Sequence, residues 1–312
     1  MRATPTLHNH VRPRRVVCKP LRWAILLAPL ALAACQPGVL DPQGFVGASE
    51  KTILLDSLAI MLAIVIPTII ATLAFAWWFR STNAKAKYLP NWGYSGAIEL
   101  IVWGIPTLTI MLLGGVAWVA SHELDPAVPI VSNNKPIEIQ GVSLDWKWLF
   151  IYPGQHVASV NELTVPAGVP LHFSLTSASV MNAFFIPQLG SMIYTMNGMT
   201  STLNLIADKP GTYYGQSSHY SGDGFSDMNF QVHALPADQF ASWVATTRAG
   251  SGPALDAASY AALAKQSSHV TPFNYHDVDT TIFTKIITQQ IPPAPGPQAG
   301  LPSVDVSNRT EP

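Results

Sequence analysis

Hydrophobic and polar positions alternate with three different rhythms along this chain, and each rhythm predicts a different kind of element. Near the start, Trp23 to Ala34 form an apolar run of about a dozen residues behind a basic head of Arg12, Arg14, Arg15, Lys19 and Arg22. A run that short cannot cross a bilayer and predicts a secretory signal over residues 1–34. Two much longer apolar stretches follow, 53–79 and 97–120, each long enough to cross about 30 Å of hydrocarbon as a helix. Trp77, Trp78 and Trp118 sit near their ends, at interfacial depth, and Pro67 and Pro106 lie inside them, where kinks are expected. Beyond Pro126 the apolar runs shorten and are broken by Pro and Gly. Stretches 137–142, 148–152, 162–165, 170–176, 202–206 and 228–234 read as strands, with alternation clearest in Leu171-His172-Phe173-Ser174-Leu175. Helical spacing returns after Leu235: Phe240, Trp243 and Val244 behind Pro236, then short helices at 257–265 and 280–289.

The pattern therefore predicts a two-helix transmembrane hairpin, an all-β sandwich over 125–235 and a helical C-terminal extension over 236–290. From Ile291 the residues are rich in Pro, Gly and Ser, which predicts a disordered tail over 291–312. Composition agrees with a membrane protein: 48% of the 312 residues are hydrophobic, 11% are charged and the net charge is −1. A chain so close to neutral carries no electrostatic footprint for nucleic acid. A two-helix hairpin cannot enclose a transport path. Gly104, Gly114 and Gly115 suggest packing against a larger membrane partner, the alternative being a hairpin that only anchors.

Charge then orients the hairpin. The loop between the spans carries Arg80, Lys85 and Lys87 and no acid, which places it in the cytoplasm and both flanks outside. The signal ends Leu32-Ala33-Ala34-Cys35, which looks like a bacterial lipoprotein cleavage box, so that Cys35 becomes the lipidated first residue of the segment 35–124. The other reading makes Cys35 an incidental residue beside an ordinary cleavage site. An externally lipidated Cys35 fits the topology that the basic loop predicts. Cys18 and Cys35 are the only cysteines, so residues 36–312 can form neither a disulfide framework nor a thiolate metal site.

The loop Gly211–Met228, GTYYGQSSHYSGDGFSDM, leaves a strand ending at Tyr213 and Tyr214 and turns on Gly215, Gly222 and Gly224. It resembles the loop of respiratory oxidase subunit II, roughly YYGQCSEICGxxHSxM in copper-binding members. Val180–Gly190, VMNAFFIPQLG, resembles that family's VIHSFWVPxLG. The resemblance covers about Leu40 to Gln290 and implies a cupredoxin-like topology for the sandwich. In copper-binding members two thiolates, two His, a Glu carbonyl and a Met hold a pair of coppers. The matching positions here are Ser217 and Ser221 for the thiolates, Asn182 and Phe225 for the imidazoles, His219 for the Glu, and Met228 for the Met. Only the Met is retained, and Ser, Asn and Phe cannot replace soft ligands. His219 with Met228 alone would be a poor mononuclear site. This pattern, like the C-terminal extension, resembles the quinol-oxidising, cytochrome o-type branch of the family.

That resemblance implies a non-redox subunit with no cofactor of its own. Its partners would be haem–copper subunit I, which carries the haems and copper, and further small membrane subunits, in a complex that oxidises ubiquinol, reduces O2 and pumps protons from the bacterial inner membrane. Trp146 in Asp145-Trp146-Lys147-Trp148 matches the tryptophan at which electrons arrive in copper-bearing relatives, although aromatic residues also fill sandwich cores. Glu99 opens Glu99-Leu100-Ile101-Val102-Trp103-Gly104-Ile105-Pro106, similar to a family pattern whose Glu lies at the mouth of a proton pathway. An acid in the first turn of a helix is also favoured by the macrodipole alone, so both readings of Glu99 stand. Two other functions compete: a cytochrome c oxidase subunit II with electron-transfer copper, and a lipid-anchored copper-binding module.

Overall fold

A computed structural model describes residues 38–300 apart from Tyr88. The expected signal peptide, Cys35 and residues 301–312 lie outside the described residues. Two long helices come first, α1 Phe45–Trp78 and α2 Gly96–Glu123, both long and apolar enough to cross a membrane. Their polar side chains turn inward on the backbone. Thr68, Thr72, Thr107 and Thr109 each donate to the carbonyl four residues earlier at 2.7–2.8 Å, so these four hydroxyls are met on an apolar surface. Pro67 and Pro106 lie inside continuous helices.

Helix α1 begins eight residues before the expected start at Ile53. The added turns, Phe45 to Thr52, are not apolar and carry no membrane pattern; contacts with the outer domain order them instead. The Gln43 amide donates to Gln188 O (2.7 Å) and the Gly47 amide to Leu189 O (3.0 Å), while the Glu50 carboxylate accepts from Ser191 N (2.9 Å) and Oγ (3.0 Å). Glycine makes this approach possible. A Cβ on Gly190, at φ +108°, would sit 2.6 Å from the Gly47 nitrogen, and one on Gly44 would sit 2.2 Å from Ile206 O.

The outer domain is a sandwich of two sheets. Strands β1 Ile137–Leu144, β2 Lys147–Tyr152, β3 Val157–Val160, β5 Pro170–Ser177, β8 Ser201–Ile206 and β12 Phe273–Tyr275 form one sheet, in the order β12-β3-β2-β1-β5-β8. Strands β4 Glu162–Pro166, β6 Asn182–Ile186, β7 Gly190–Thr195, β9 Gly211–Ser217 and β10 Asn229–Leu235 form the other, in the order β4-β10-β9-β6-β7. The six expected strands are present within a residue or two. Strands β3, β6, β7 and β12 were not anticipated. Between the sheets, Trp148, Phe150, Phe184 and Phe230 pack with ring centroids 5.0–6.3 Å apart.

The C-terminal extension builds a second core. It contains α3 Ala237–Ala249, β11 Ala254–Leu255, α4 Ala257–Leu263, β13 Asp277–Val278 and α5 Ile282–Ile287, besides strand β12 of the first sheet. Leu255, Tyr260, Leu263, Ile282, Phe283 and Ile286 pack on Val142, Leu144, Leu149, Ile151 and Val160, the outward-facing residues of β1, β2 and β3. All six residues of β2 are consequently buried, which accounts for its unbroken apolar run. The first residues of the expected disordered tail, from Ile291, are ordered. Ile291 packs on this second core, Ala294 N donates to Ala178 O (2.9 Å), and Gln266 and Gln298 bond each other twice (2.7 and 3.1 Å).

Candidate functional site

The positions singled out in the sequence converge at the end of the sandwich where β6, β9 and the loop to β10 meet. Asn182 opens β6 and Ser217 closes β9, and both are buried. Ser217 Oγ donates to Asn182 Oδ1 and to His219 O, each at 3.4 Å. Asn182 Nδ2 in turn reaches Ser143 Oγ and Val180 O at 3.4 Å, and Ser143 Oγ lies 3.0 Å from Thr195 Oγ1. The Ser217 amide donates to Met228 O at 3.0 Å, and Met228, also buried, receives the Ser221 hydroxyl at its sulfur at 4.0 Å. Phe225 starts a short 3-10 turn, Phe225–Asp227, and packs on Tyr220 with centroids 5.6 Å apart. The His219 ring packs edge-on against Tyr194 at 5.8 Å. The six positions thus share one corner, and the ligand groups they offer are an amide, two hydroxyls, the His219 carbonyl and imidazole, and a thioether. Among the described residues no three His, Cys, Asp or Glu side chains gather in a metal-holding group.

Trp146 covers this loop from the β1–β2 turn. Its backbone sits at φ +64°, a left-handed conformation that costs a side-chain-bearing residue on the order of 1–2 kcal/mol. Its ring contacts explain why the conformation holds. Nε1 donates to Ser221 O at 3.0 Å, and the indole lies so close over Gly224 that a Cβ there would be 2.3 Å from the ring. A Cβ on Gly222 would meet both Trp146 and Pro297 at 3.4 Å. Trp146 is only 5% exposed. On the same loop Asp227 pairs with His269 of the C-terminal extension at 3.3 Å.

Next to Trp146 lies a buried group that pattern reading overlooked. Lys147 has no exposed surface, and its ammonium donates to Asp145 O (3.1 Å) and to Lys265 O beyond α4 (2.8 Å). Burial lowers its pKa to about 7, against a smaller upward pull from the Asp145 carboxylate. Burial likewise raises the Asp145 pKa, against a 2.5 Å hydrogen bond from Ser179 and the charge of Lys147. The available clue was a lysine inside Trp-Lys-Trp-Leu-Phe-Ile-Tyr, a strand with no polar face to offer it.

Glu99 occupies the first turn of α2 at the loop end of the hairpin, its amide bonded to Ser95 O (3.0 Å) and its side chain exposed. Among the described residues no cation pairs with it. It lies at the end of the hairpin remote from the sandwich, so the structure does not bring it together with the corner described above.

A two-sheet sandwich of this topology, carried on a helical hairpin and closed at one corner by the Gly211–Met228 loop, defines the class: residues 137–235 match the family model described as cytochrome c oxidase subunit II, periplasmic domain. The isolated periplasmic domain of subunit II of cytochrome oxidase from Bradyrhizobium japonicum is 27% identical over 38% of this chain and 96% of that one, with a TM-score of 0.35. Curated relatives narrow the class. Cytochrome bo(3) ubiquinol oxidase subunit 2 of Pseudomonas aeruginosa is 45% identical over 86% of this chain and 81% of its own length. Ubiquinol oxidase subunit 2 of Acetobacter aceti is 44% identical over 88% and 90%, and quinol oxidase subunit 2 of Bacillus cereus is 37% identical over 69% and 75%. The chain belongs to the quinol oxidase subunit II family.

Proposed function

We propose that this chain is the non-redox subunit II of a proton-pumping ubiquinol oxidase in a bacterial inner membrane. Names of relatives at 44–45% identity support the quinol-oxidising activity of the complex. The observation that carries the non-redox role is the donor set at the corner of the sandwich. A dinuclear copper centre needs bridging thiolates and imidazoles, and residues 36–312 contain no cysteine. Ser217 and Asn182 spend their polar atoms on each other and on neighbouring groups, which is how a buried hydroxyl and amide are satisfied without a metal. These residues do not fit the copper pair, and no electron-transfer step runs through this chain. The haems and copper of oxygen reduction belong to partner subunit I, which a lipid-soluble quinol reaches inside the bilayer. Trp146, buried beneath the loop and beside Pro297, then acts as packing.

The remaining roles follow from topology. The basic loop lies in the cytoplasm and the sandwich on the periplasmic side, where a lipidated Cys35 adds an anchor. Glu99, exposed at the cytoplasmic end of α2, takes up protons for subunit I. The test of the central claim is metal analysis of the purified subunit after copper loading. No stoichiometric copper and no near-infrared band are expected. Two tightly bound coppers per chain would restore the electron-transferring reading.

A further inference from the structure

The loop end of the hairpin carries a feature that neither the sandwich nor Glu99 uses. Between the end of α1 and the start of α2 the chain folds into a compact connection. Asn83 Nδ2 donates to Trp78 O (2.6 Å), Asn83 N to Arg80 O (3.0 Å), and Ala86 N to Asn83 O (3.2 Å). These bonds hold open a cleft of about 830 Å³. Its walls are apolar: Phe75 and Phe79 from α1, Leu89 and Trp92 from the connection, and Ile98 from α2. Arg80 and Lys87 also line it, and Lys85 lies between them in sequence. From Ser57 to Ile98 there is no acid, Glu99 being the next residue and outside the cleft lining.

We infer that this cleft binds one anionic phospholipid, with an acyl chain against the aromatic wall and the headgroup phosphate between Arg80 and Lys87. Apolar walls alone would take any lipid; the charge selects. Two cations with no acid on the lining favour a headgroup of net negative charge over a zwitterionic one, and each basic residue at a membrane surface attracts anionic lipid measurably. Arg80 is already held in place, its guanidinium carbon 5.1 Å from the centroid of the Trp77 ring, so little side-chain freedom is lost on binding. Phe75 and Trp92 are 63% and 60% exposed, which leaves an aromatic wall open for an acyl chain to lie against. The inference needs only that α1 and α2 span the membrane, whichever side the loop faces.

The experiment is native mass spectrometry of the delipidated full chain, and of the assembled oxidase, given equal amounts of phosphatidylglycerol and phosphatidylcholine with identical chains. One phosphatidylglycerol should be retained in preference by about tenfold, as a favourable contact of about 1.4 kcal/mol would give. Arg80→Gln with Lys87→Gln should bring the preference to parity, whereas Lys51→Gln, a basic residue of α1 outside this cleft, should leave it unchanged. Raising the salt should lower the wild-type preference, which tests the charge without any substitution. Equal retention of both lipids, or a preference that survives the double substitution or high salt, overturns the proposal. So does loss of the preference in the assembled oxidase, because a partner subunit would then fill the cleft.

Discussion

Replacing Lys147 by Met should abolish a pH dependence of stability that the wild-type chain carries. The Lys147 amine is fully buried, and burial lowers its pKa from 10.5 to about 7. A lowered folded-state value means that the unfolded chain binds more protons between these limits, so stability rises with pH from about 7 to about 10.5. The full difference, 10.5 − 7, is 3.5 units, on the order of 5 kcal/mol at about 1.36 kcal/mol per unit. Between pH 7.5 and 9.5 the same linkage gives on the order of 2–3 kcal/mol. That window is chosen because burial also raises the phenol pKa values of Tyr152 and Tyr260, which act in the opposite sense once unfolded tyrosines ionise near pH 10. Met keeps the length of the side chain but does not titrate, so the Lys147→Met profile should be flat across the window. At pH 9.5 it should lie below wild type, because Asp145 O and Lys265 O lose their donor, a cost of about 1–3 kcal/mol. The assay is denaturant unfolding of the full chain in detergent micelles, followed by tryptophan fluorescence at both pH values. A wild-type stability that is equal at the two, or lower at pH 9.5, would show that water reaches the amine and would refute the reasoning.

Three further outcomes are expected. Glu99→Gln, which keeps size and hydrogen bonding but removes the ionisable group, should lower quinol-oxidising turnover of the assembled oxidase severalfold, with Glu99→Asp retaining more; unchanged turnover would leave Glu99 as a helix-terminal acid favoured by the dipole. Cys35→Ser should remove a lipid-derived mass from the mature amino terminus while α1 and α2 keep the chain in the membrane; an unmodified wild-type Cys35 would end the lipoprotein reading. Phe283→Ala, in the second core at 4% exposure, should destabilise the outer domain by about 3–5 kcal/mol and speed proteolysis of the C-terminal extension; a loss below about 1 kcal/mol would make that extension a loose appendage.

The spans were legible because they are long and continuously apolar, and most strands because their burial is one-sided or complete and their periodicity is regular. Where ordering comes from a distant partner, local pattern fails. Phe45 to Thr52 contains Ser49, Glu50 and Lys51 and reads as a polar linker, yet it is helical because Gly47 and Glu50 dock on Leu189 and Ser191. Ile291 to Gln298 has the composition of a disordered tail, but Ala178 and Gln266 pin it. Strands β6 and β7 adjoin the loop whose glycines and serines dominate the local signal, and only their pairing with β9 and with each other defines them.

The corner of the sandwich was legible for a different reason: its residues are far apart in sequence but fall in two long motifs, so a resemblance could place Asn182 beside Ser217. Lys147 had no such motif. Its burial is a consequence of the C-terminal extension covering the outer face of β2, and the extension is 100 residues away in places, as the bond from Lys147 Nζ to Lys265 O across 118 positions shows. The extension that buries Lys147 also presents His269 to Asp227, and Pro297 just beyond it lies against Gly222, so the outer surface of the Gly211–Met228 loop is packed by the chain's own C-terminal residues.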